Sequence, residues 1–200
     1  MRHRGRHLDD EYASVMPASS SATTWGKPMS DEPVLQCLWD LADPALLERE
    51  RAAVLQFWVH ERALPPDADA AARVREVLYV ARDSAGRIAG VCTVYKAVHP
   101  RLEHAMFHLR AFVAPGARRQ RLAFRLALAA REHLEAFNAR LPEAERALGV
   151  LMEVEAEALK HSPLTRQARW PQTQFSFMGR TASGAHLRVY YFVDAPLRFI

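Results

Sequence analysis

The sequence predicts an α/β domain whose mixed sheet is largely antiparallel, with one parallel strand pair and flanking helices. Two observations predict it. Segments rich in β-branched and aromatic residues are separated by turn-forming clusters such as Asp83-Ser84-Ala85-Gly86, which is typical of hairpins. After Pro115 the apolar period changes from two residues to about 3.6, which indicates a long helix between two strands. That strand, helix and strand form a parallel crossover, whereas the hairpins keep the other strands antiparallel.

The composition fits one ordinary globular domain. The chain has 200 residues, of which 50% are hydrophobic and 25% are charged. Residues 1–32 mix Arg, His, Ser, Thr and Pro without an apolar period. They are therefore predicted to form a flexible N-terminal tail, and residues 33–200 to form the domain.

The isolated cysteines and the short length of the apolar segments predict the cellular compartment of the protein. Cys37 and Cys92 are isolated from each other in the sequence, which argues against a disulfide framework or a cysteine-based zinc site. No metal site is predicted. The start of the chain carries arginines followed by acids instead of an apolar segment, and no apolar stretch approaches the length of a membrane span. These features predict a cytoplasmic protein that does not contact a membrane.

The first half of the chain begins with a strand and a capped helix. Val34–Trp39 is a short apolar run suited to a strand. Asp43-Pro44 reads as an N-cap followed by proline at the first helical position, and an apolar stripe then continues to the break at Leu64-Pro65-Pro66. The alanine-rich segment Asp67–Arg73 is expected to hold a short second helix.

The remaining elements alternate between strand and helix patterns. The predicted helix carries a stripe of Leu122, Leu126, Ala130 and Leu134 and spans Ala117–Arg140, before Pro142. A short helical or irregular piece is expected at Pro163–Trp170. The predicted strands are Val74–Ala81, Ile88–Val98, His104–Val113, Leu148–Glu157, Gln174–Arg180 and His186–Val193.

The positive charge of the chain is concentrated at the start of the long helix. The formal net charge is +4, and the segment from Gly116 to Arg131 contains five arginines and no acid. The amides that open a helix also favour anions. Such a localised surplus predicts an anion site, and it argues against a broad nucleic-acid surface.

The strand, turn and helix start at this point resemble the acyl-CoA motif of the GCN5-related N-acetyltransferase (GNAT) superfamily. That motif reads roughly V-x-P-x-x-R/Q-x-x-G-x-G/A, and it is matched here by Val113, Pro115, Arg118 and Ala123. Arg121 stands at the position of the family's first glycine. The order of elements over about residues 33–193 is also similar to that of the family, so the resemblance implies a GNAT-like fold.

The resemblance implies a binding site for acetyl-CoA or another acyl-CoA. In such a site the CoA diphosphate lies on the backbone amides of Arg119, Gln120, Arg121, Leu122 and Ala123. Phe112 and Val113 offer main-chain groups to the pantetheine arm, and Arg118 adds positive charge near the phosphates. The alternative is that Arg118, Arg121 and Arg125 form only the solvated face of an amphipathic helix.

Three glutamates on the strand after the helix are candidates for moving the proton. Glu153, Glu155 and Glu157 alternate with apolar residues, which places their carboxylates on one strand face. An amine must lose a proton when it attacks a thioester, and Glu153 is the preferred general base. Glu155 is a candidate substrate contact. The alternative is a solvated strand face that pairs with nearby arginines.

His108 and Arg110 share a strand face just before the motif. They are candidates for lining the acceptor pocket or binding an anionic substrate, and His108 is a second candidate catalytic residue. The alternative for His108 is a structural role. His161 follows the glutamate strand, where the family often has a polar residue. Many family members have a general-acid tyrosine on the next short helix, but Leu164–Trp170 contains none, and the nearby hydroxyls of Ser162 and Thr165 are poor acids.

The sequence thus predicts transfer of an acyl group, with acetyl as the first expectation, from a CoA thioester to an amine on a small molecule or a protein. The alternative is a non-catalytic acyl-CoA-binding or interaction module with the same fold, which Arg121 and the missing tyrosine favour. Nucleic acid is a disfavoured partner. A homodimer is compatible with the sequence.

Overall fold

The computed structural model describes residues 32–156, 160 and 166–195. Apart from Glu32, the predicted N-terminal tail lies outside the described residues. The helices are α1 (Pro44–Glu61), α2 (Ala70–Val74) and α3 (Leu122–Ala139). The strands are β1 (Val34–Cys37), β2 (Val77–Arg82), β3 (Ile88–His99), β4 (His104–Val113), β5 (Gly149–Val154), β6 (Ser176–Arg180) and β7 (His186–Tyr191).

The described strands form one sheet in the order β1-β2-β3-β4-β5-β7-β6. β4 and β5 are parallel, and the other neighbouring pairs are antiparallel. The predicted mixed α/β sheet with one parallel pair is therefore confirmed. β4 and β5 are parallel because α3 carries the chain back along the sheet between them, which a short hairpin turn cannot do.

α1 packs on one face of the sheet, called here the α1 face. The carboxylate of Asp43 accepts hydrogen bonds from the amides of Ala45 and Leu46, so the predicted cap is confirmed. The α1 residues Val54, Phe57 and Trp58 are buried between the helix and the sheet. The ring of Phe57 meets that of Phe112 of β4 at 5.8 Å, and Phe112 therefore belongs to the α1 face.

α3 packs on the opposite face, called the α3 face. Its predicted stripe is confirmed, because Leu122, Leu126, Ala130 and Leu134 are all buried. These side chains share a core with Phe107, Leu109 and Val113 of β4. Alternate residues of a strand point to opposite faces, so the odd-numbered residues of β4 face α3 and the even-numbered ones face the α1 side.

The long helix begins five residues later than the sequence predicted. Pro115–Gln120 forms a 3-10 turn, and α3 starts only at Leu122. The reason lies at Arg121, whose φ of 52° and ψ of 22° place it in the left-handed region. A left-handed residue interrupts a right-handed helix. The prediction of a continuous helix from Ala117 was therefore wrong.

Several other boundaries also differ from the predictions: β1 ends at Cys37, β2 begins at Val77, β6 begins at Ser176 and β7 ends at Tyr191. β5 ends at Val154, so Glu155 lies beyond the strand that was expected to continue past it. α2 begins at Ala70, where the Asp69 carboxylate caps it, because the short polar side chain stops the chain from being helical earlier. In the described part of the expected helical piece, residues 166–168 form bends.

Among the described residues, we find no helix with both the length and the apolar character needed to cross a bilayer.

Candidate functional site

β4 and β5 separate at their carboxyl ends. Their parallel register is continuous from Phe107, opposite Val150, to Leu109, opposite Met152, and stops there. The next residues of the two strands are Arg110 and Glu153. Glu153 shares its face with its antiparallel partner Leu187, which packs with Met106 on the α1 side. Arg110 and Glu153 therefore lie on the α1 face, on the two sides of the opening.

The two predicted β4 residues form a stack with a tyrosine of β3. The rings of Tyr95 and His108 are parallel within 20° at a centroid distance of 4.7 Å. The Arg110 guanidinium lies over the same tyrosine ring at 4.5 Å. Tyr95 and His108 are direct cross-strand partners, so their common face and the register bring them together. The shared face of His108 and Arg110 is thus confirmed.

Further polar side chains surround this stack. Arg110 forms a close ion pair with Glu76, which precedes β2. The ring of His99 lies 6.0 Å from that of His108. Thr93 is the β3 partner of Arg110 and is buried. We call this set, completed by one arginine of α2, the polar cluster: Arg73, Glu76, Thr93, Tyr95, His99, His108 and Arg110.

The protonation of His108 is shifted by its surroundings. Burial lowers the pKa of its imidazole below the ordinary 6.5, and the charges of His99 and Arg110 lower it further. A hydrogen bond to the backbone of Ala97 acts in the opposite direction. Nε2 is the ring nitrogen with no partner among the described residues, so the backbone bond belongs to Nδ1. In the neutral ring Nε2 is then the proton-accepting nitrogen.

Two of the three glutamates that the sequence analysis proposed, Glu153 and Glu155, lie beside this cluster. Glu153 is exposed at the opening of the two parallel strands. Glu155 is exposed beyond the end of β5, yet near enough to Arg73 for its charge to raise the pKa of that arginine. Glu157, His161, Ser162 and Thr165 lie outside the described residues.

The turn that matches the acyl-CoA motif is open to solvent. Pro115, Gly116, Arg118 and Arg121 are exposed. The N-cap position of α3 is occupied by Arg121, whose side chain has no acceptor for the helix amides. Leu122 is fully buried in the α3 core and Ala123 is partly buried. The side chains of Arg119 and Gln120 lie outside the described part.

Phe112 and Val113, which lie just before this turn, differ in where their main-chain groups point. The amide of Ala114 donates to the carbonyl of Ala89. Antiparallel ladders alternate, so the main chain of Phe112, two residues earlier, also bonds to β3. Val113 instead turns its main chain toward β5, and its carbonyl accepts a hydrogen bond from Arg118 Nε at 3.3 Å. Of the two residues expected to contact a pantetheine arm, Val113 is the one that faces the opening.

A groove of 740 Å³ lies on the other side of the same turn, between α1 and the β2–β3 hairpin. Ala114, Gly116 and Ala117 form one of its walls. The arginines in its lining are paired, Arg82 with Glu50 and Arg87 with Asp83. The groove therefore has little free positive charge for a diphosphate.

Within the described part of the chain, one group of side chains that could ligate a metal ion lies outside the polar cluster. Ligand atoms of Cys37, Asp40 and His133 lie within 4.8 Å of one another, and the Cys37 Sγ to His133 Nδ1 distance is 3.8 Å. Burial raises the pKa of the Cys37 thiol; a hydrogen bond with the backbone of Asp40 opposes the shift, and the Asp40 carboxylate adds to it. The Cys37 thiol and the His133 imidazole are therefore in contact. Sequence spacing could not reveal it because 96 residues separate Cys37 from His133.

Sequence reasoning missed five members of the polar cluster. Thr93 and Tyr95 alternate on β3 in a way that hinted at a shared face, but only the β3–β4 register shows that they meet Arg110 and His108. Arg73 and Glu76 reach the cluster through the packing of α2 and the start of β2, and His99 through its contact with His108. No local sequence signal marks those three residues.

Comparison of the chain with protein-family models, with curated proteins and with solved structures finds no match. The function is therefore inferred from the geometry of the site and from the chemistry of its residues.

Proposed function

We propose that this protein is a GNAT-like N-acyltransferase that moves an acyl group, with acetyl as the first expectation, from CoA to an amine. The observation that carries the proposal is the backbone of Arg121. It is left-handed, the conformation that glycine adopts most readily, at the position where the resembled motif has its first glycine. The turn thus has at this position a backbone conformation that glycine favours, although the residue is arginine.

The position of this turn supports the same proposal. It follows β4 directly and opens α3, next to the point where β4 and β5 separate. The amides of residues 119–123 would hold the diphosphate, with the helix dipole and Arg118 adding positive charge. The opening between the strands would take the pantetheine arm. For Val113 to bond that arm, Arg118 must first release the Val113 carbonyl.

The chemistry of the proposed step uses the α1 face. The amine nitrogen attacks the thioester carbonyl, a C–N bond forms and the C–S bond breaks. Glu153 accepts the proton that the amine loses, and the released thiolate takes up a proton to become the CoA thiol. The unpartnered Nε2 of His108 offers a second proton acceptor on the same face. Arg110 and Glu155 are the proposed substrate contacts.

The exposed position of Glu153 favours the second candidate function, a module that binds acyl-CoA without catalysis. A general base works best where water is excluded, because its interactions with the substrate are then stronger. The structure leaves Glu153 at the surface. In this second proposal the turn and the opening serve binding alone.

Calorimetry and a thiol-release assay distinguish the two candidates. We expect CoA and acetyl-CoA to bind and a panel of amines to release free thiol from acetyl-CoA. Glu153→Gln should lower the turnover about 10²-fold or more, the scale of general-base catalysis, and the exposed Glu145→Gln should leave it unchanged. Binding of CoA without thiol release would support the module, and absence of CoA binding would contradict both candidates.

A further inference from the structure

Arg73 lies in the polar cluster without an ion-pair partner. Its guanidinium lies 6.0 Å from the ring of Trp58. It is also close enough to Arg110 and Glu76 for their charges to change its pKa. Glu76 is already paired with Arg110. Among the described residues, no carboxylate lies within the 4.0 Å of Arg73 that would make an ion pair.

Several polar atoms of the same cluster are buried and have no hydrogen-bond partner within the described part of the chain. Thr93 is 2% exposed and His99 is 9% exposed. Buried polar groups are nearly always satisfied, and a group of unsatisfied ones on one sheet face indicates a missing partner. The atoms are Arg73 Nε, Thr93 Oγ1, His99 Nδ1, His108 Nε2 and Arg110 Nε.

The chemistry of the two arginines indicates that their missing partner is an anion, whereas the accepting Nε2 of neutral His108 needs a hydrogen-bond donor. Burial lowers the pKa of Arg73 and the neighbouring Arg110 lowers it further, while the charges of Glu76 and Glu155 act in the opposite direction without cancelling the shift. The charges of His99 and Arg110 likewise lower the pKa of His108. In both cases cations disfavour one another's charged forms, which an added anion would reverse.

We propose that the polar cluster binds the carboxylate of the acceptor, so that the acceptor is an amine that carries a carboxylate group. The inference rests on the proposed acyl transfer. The planar guanidinium of Arg73 suits a carboxylate, which it can bind through two parallel hydrogen bonds. The amine of the same molecule then faces His108 Nε2 and Glu153, the two proton acceptors on this face.

The charge of the face favours a monoanion over a phosphate dianion. Glu76, Glu153 and Glu155 lie on or beside the same face as Arg73 and Arg110. A second negative charge on the ligand would be repelled by these carboxylates. A carboxylate can still pair with Arg73, and its single charge is repelled less by these carboxylates than a dianion would be.

Paired acceptors test the proposal through the enzyme reaction. With acetyl-CoA as donor, we expect β-alanine to have a KM about tenfold or more below that of β-alaninamide, because a charged hydrogen-bonded pair is lost in the amide. Arg73→Gln should abolish that difference and Arg73→Lys should retain part of it. Arg75→Gln, two residues away and exposed, is the matched control and should keep the difference. Equal KM values for the two acceptors in the wild-type chain would overturn the proposal.

A binding measurement separates failure of this proposal from failure of the proposed enzyme. Propionate, added to the full chain without any CoA, should shift the ring NMR signals of His99 and His108 at constant ionic strength, and propionamide should not. The shifts should be lost in Arg73→Gln and kept in Arg75→Gln. If no amine is acylated but these shifts occur, the carboxylate site stands and the transferase is wrong. If amines are acylated but propionate causes no shift, the carboxylate site is wrong and the transferase stands.

Discussion

At the scale of single residues, the proposed function depends mainly on Arg121 and His108. Arg121 has a left-handed backbone at the start of α3. This conformation brings the Cβ of an L-residue close to its own backbone, at a cost of roughly 1–2 kcal/mol. His108 is held in a stack with Tyr95 and has an unpartnered ring nitrogen on the sheet face that also carries Glu153. Both residues have local environments that are unfavourable for folding, a left-handed backbone at Arg121 and a buried unpartnered nitrogen at His108; such features cluster at functional sites.

Replacing Arg121 by glycine tests the shape of the turn. We expect Arg121→Gly to raise the free energy of unfolding by up to about 1 kcal/mol, because relief of the left-handed strain exceeds the entropy cost of glycine. CoA should bind more tightly, since the amides lose a neighbouring side chain. Arg121→Ala is the matched control, because it removes the same side chain but keeps the strain. Urea unfolding and calorimetry give both values, and weaker CoA binding in the glycine variant would show that Arg121 is itself a ligand.

The lowered pKa of His108 predicts how stability depends on pH. The folded chain holds this proton less tightly than the unfolded chain, whose histidines titrate near 6.5. The unfolded state therefore binds more protons at mildly acidic pH, and the stability of the fold falls as the pH drops through and below 6.5. NMR should place the His108 midpoint below 6.5, and His108→Gln should reduce the slope of unfolding free energy in this pH range. A midpoint above 6.5 would contradict the burial of the charged form.

At the scale of elements, the crossover from β4 through α3 to β5 creates the site. Asn138, in the last turn of α3, is 4% exposed. Its side chain donates to the carbonyl of Ala147 at 3.0 Å and accepts from the amide of Ala147 at 2.8 Å. This pair of bonds fixes where the chain leaves α3 and enters β5.

Truncation of this side chain should loosen the crossover. We expect Asn138→Ala to lower the free energy of unfolding by about 2–4 kcal/mol, because two buried main-chain groups lose their partner. The exposed Glu132→Gln on the same helix is expected to change it by less than about 0.5 kcal/mol. Urea unfolding of both variants measures the difference. A loss below about 1 kcal/mol in Asn138→Ala would show that water replaces the amide.

At the scale of the whole molecule, the candidate site lies on the part of the α1 face that α1 itself does not cover. α3 covers the core of β2, β3, β4 and β5 on one face. On the opposite face, α1 packs over β2 and the first part of β3. The later part of β3, the middle of β4 and the end of β5 remain for the polar cluster and Glu153. The position of the site thus follows from the extent of α1 and α2.

Because both faces share one sheet, we expect the described domain to unfold as a single cooperative unit. Leu126 is fully buried beneath α3, and Leu126→Ala should lower the free energy of unfolding by about 2–5 kcal/mol. The midpoint should shift equally in tryptophan fluorescence, to which Trp58 of α1 and Trp170 of the α3 core both contribute, and in far-UV circular dichroism. Two separate transitions would contradict a shared core.

Much of the fold could be predicted because its signals are local. β4 was predicted with its observed bounds, and the Asp43 cap and the buried stripe of α3 also follow from residue type and spacing. The parallel β4–β5 pair was predicted as well, since a long helix between two strands permits it. The start of α3 at Leu122 was not, because the left-handed backbone of Arg121 has no signal in the arginine itself.

By itself, the sequence determined the type and order of the elements and placed His108 and Arg110 on one strand face. Periodicity and capping act over a few residues, and such patterns are visible in a linear chain. Only the tertiary structure decided that Arg73, Glu76, Tyr95 and His99 join them, and that Glu153 lies across the opening from Arg110. Those contacts depend on strand register and helix packing, which are set by the burial of the whole core and not by any neighbouring residues.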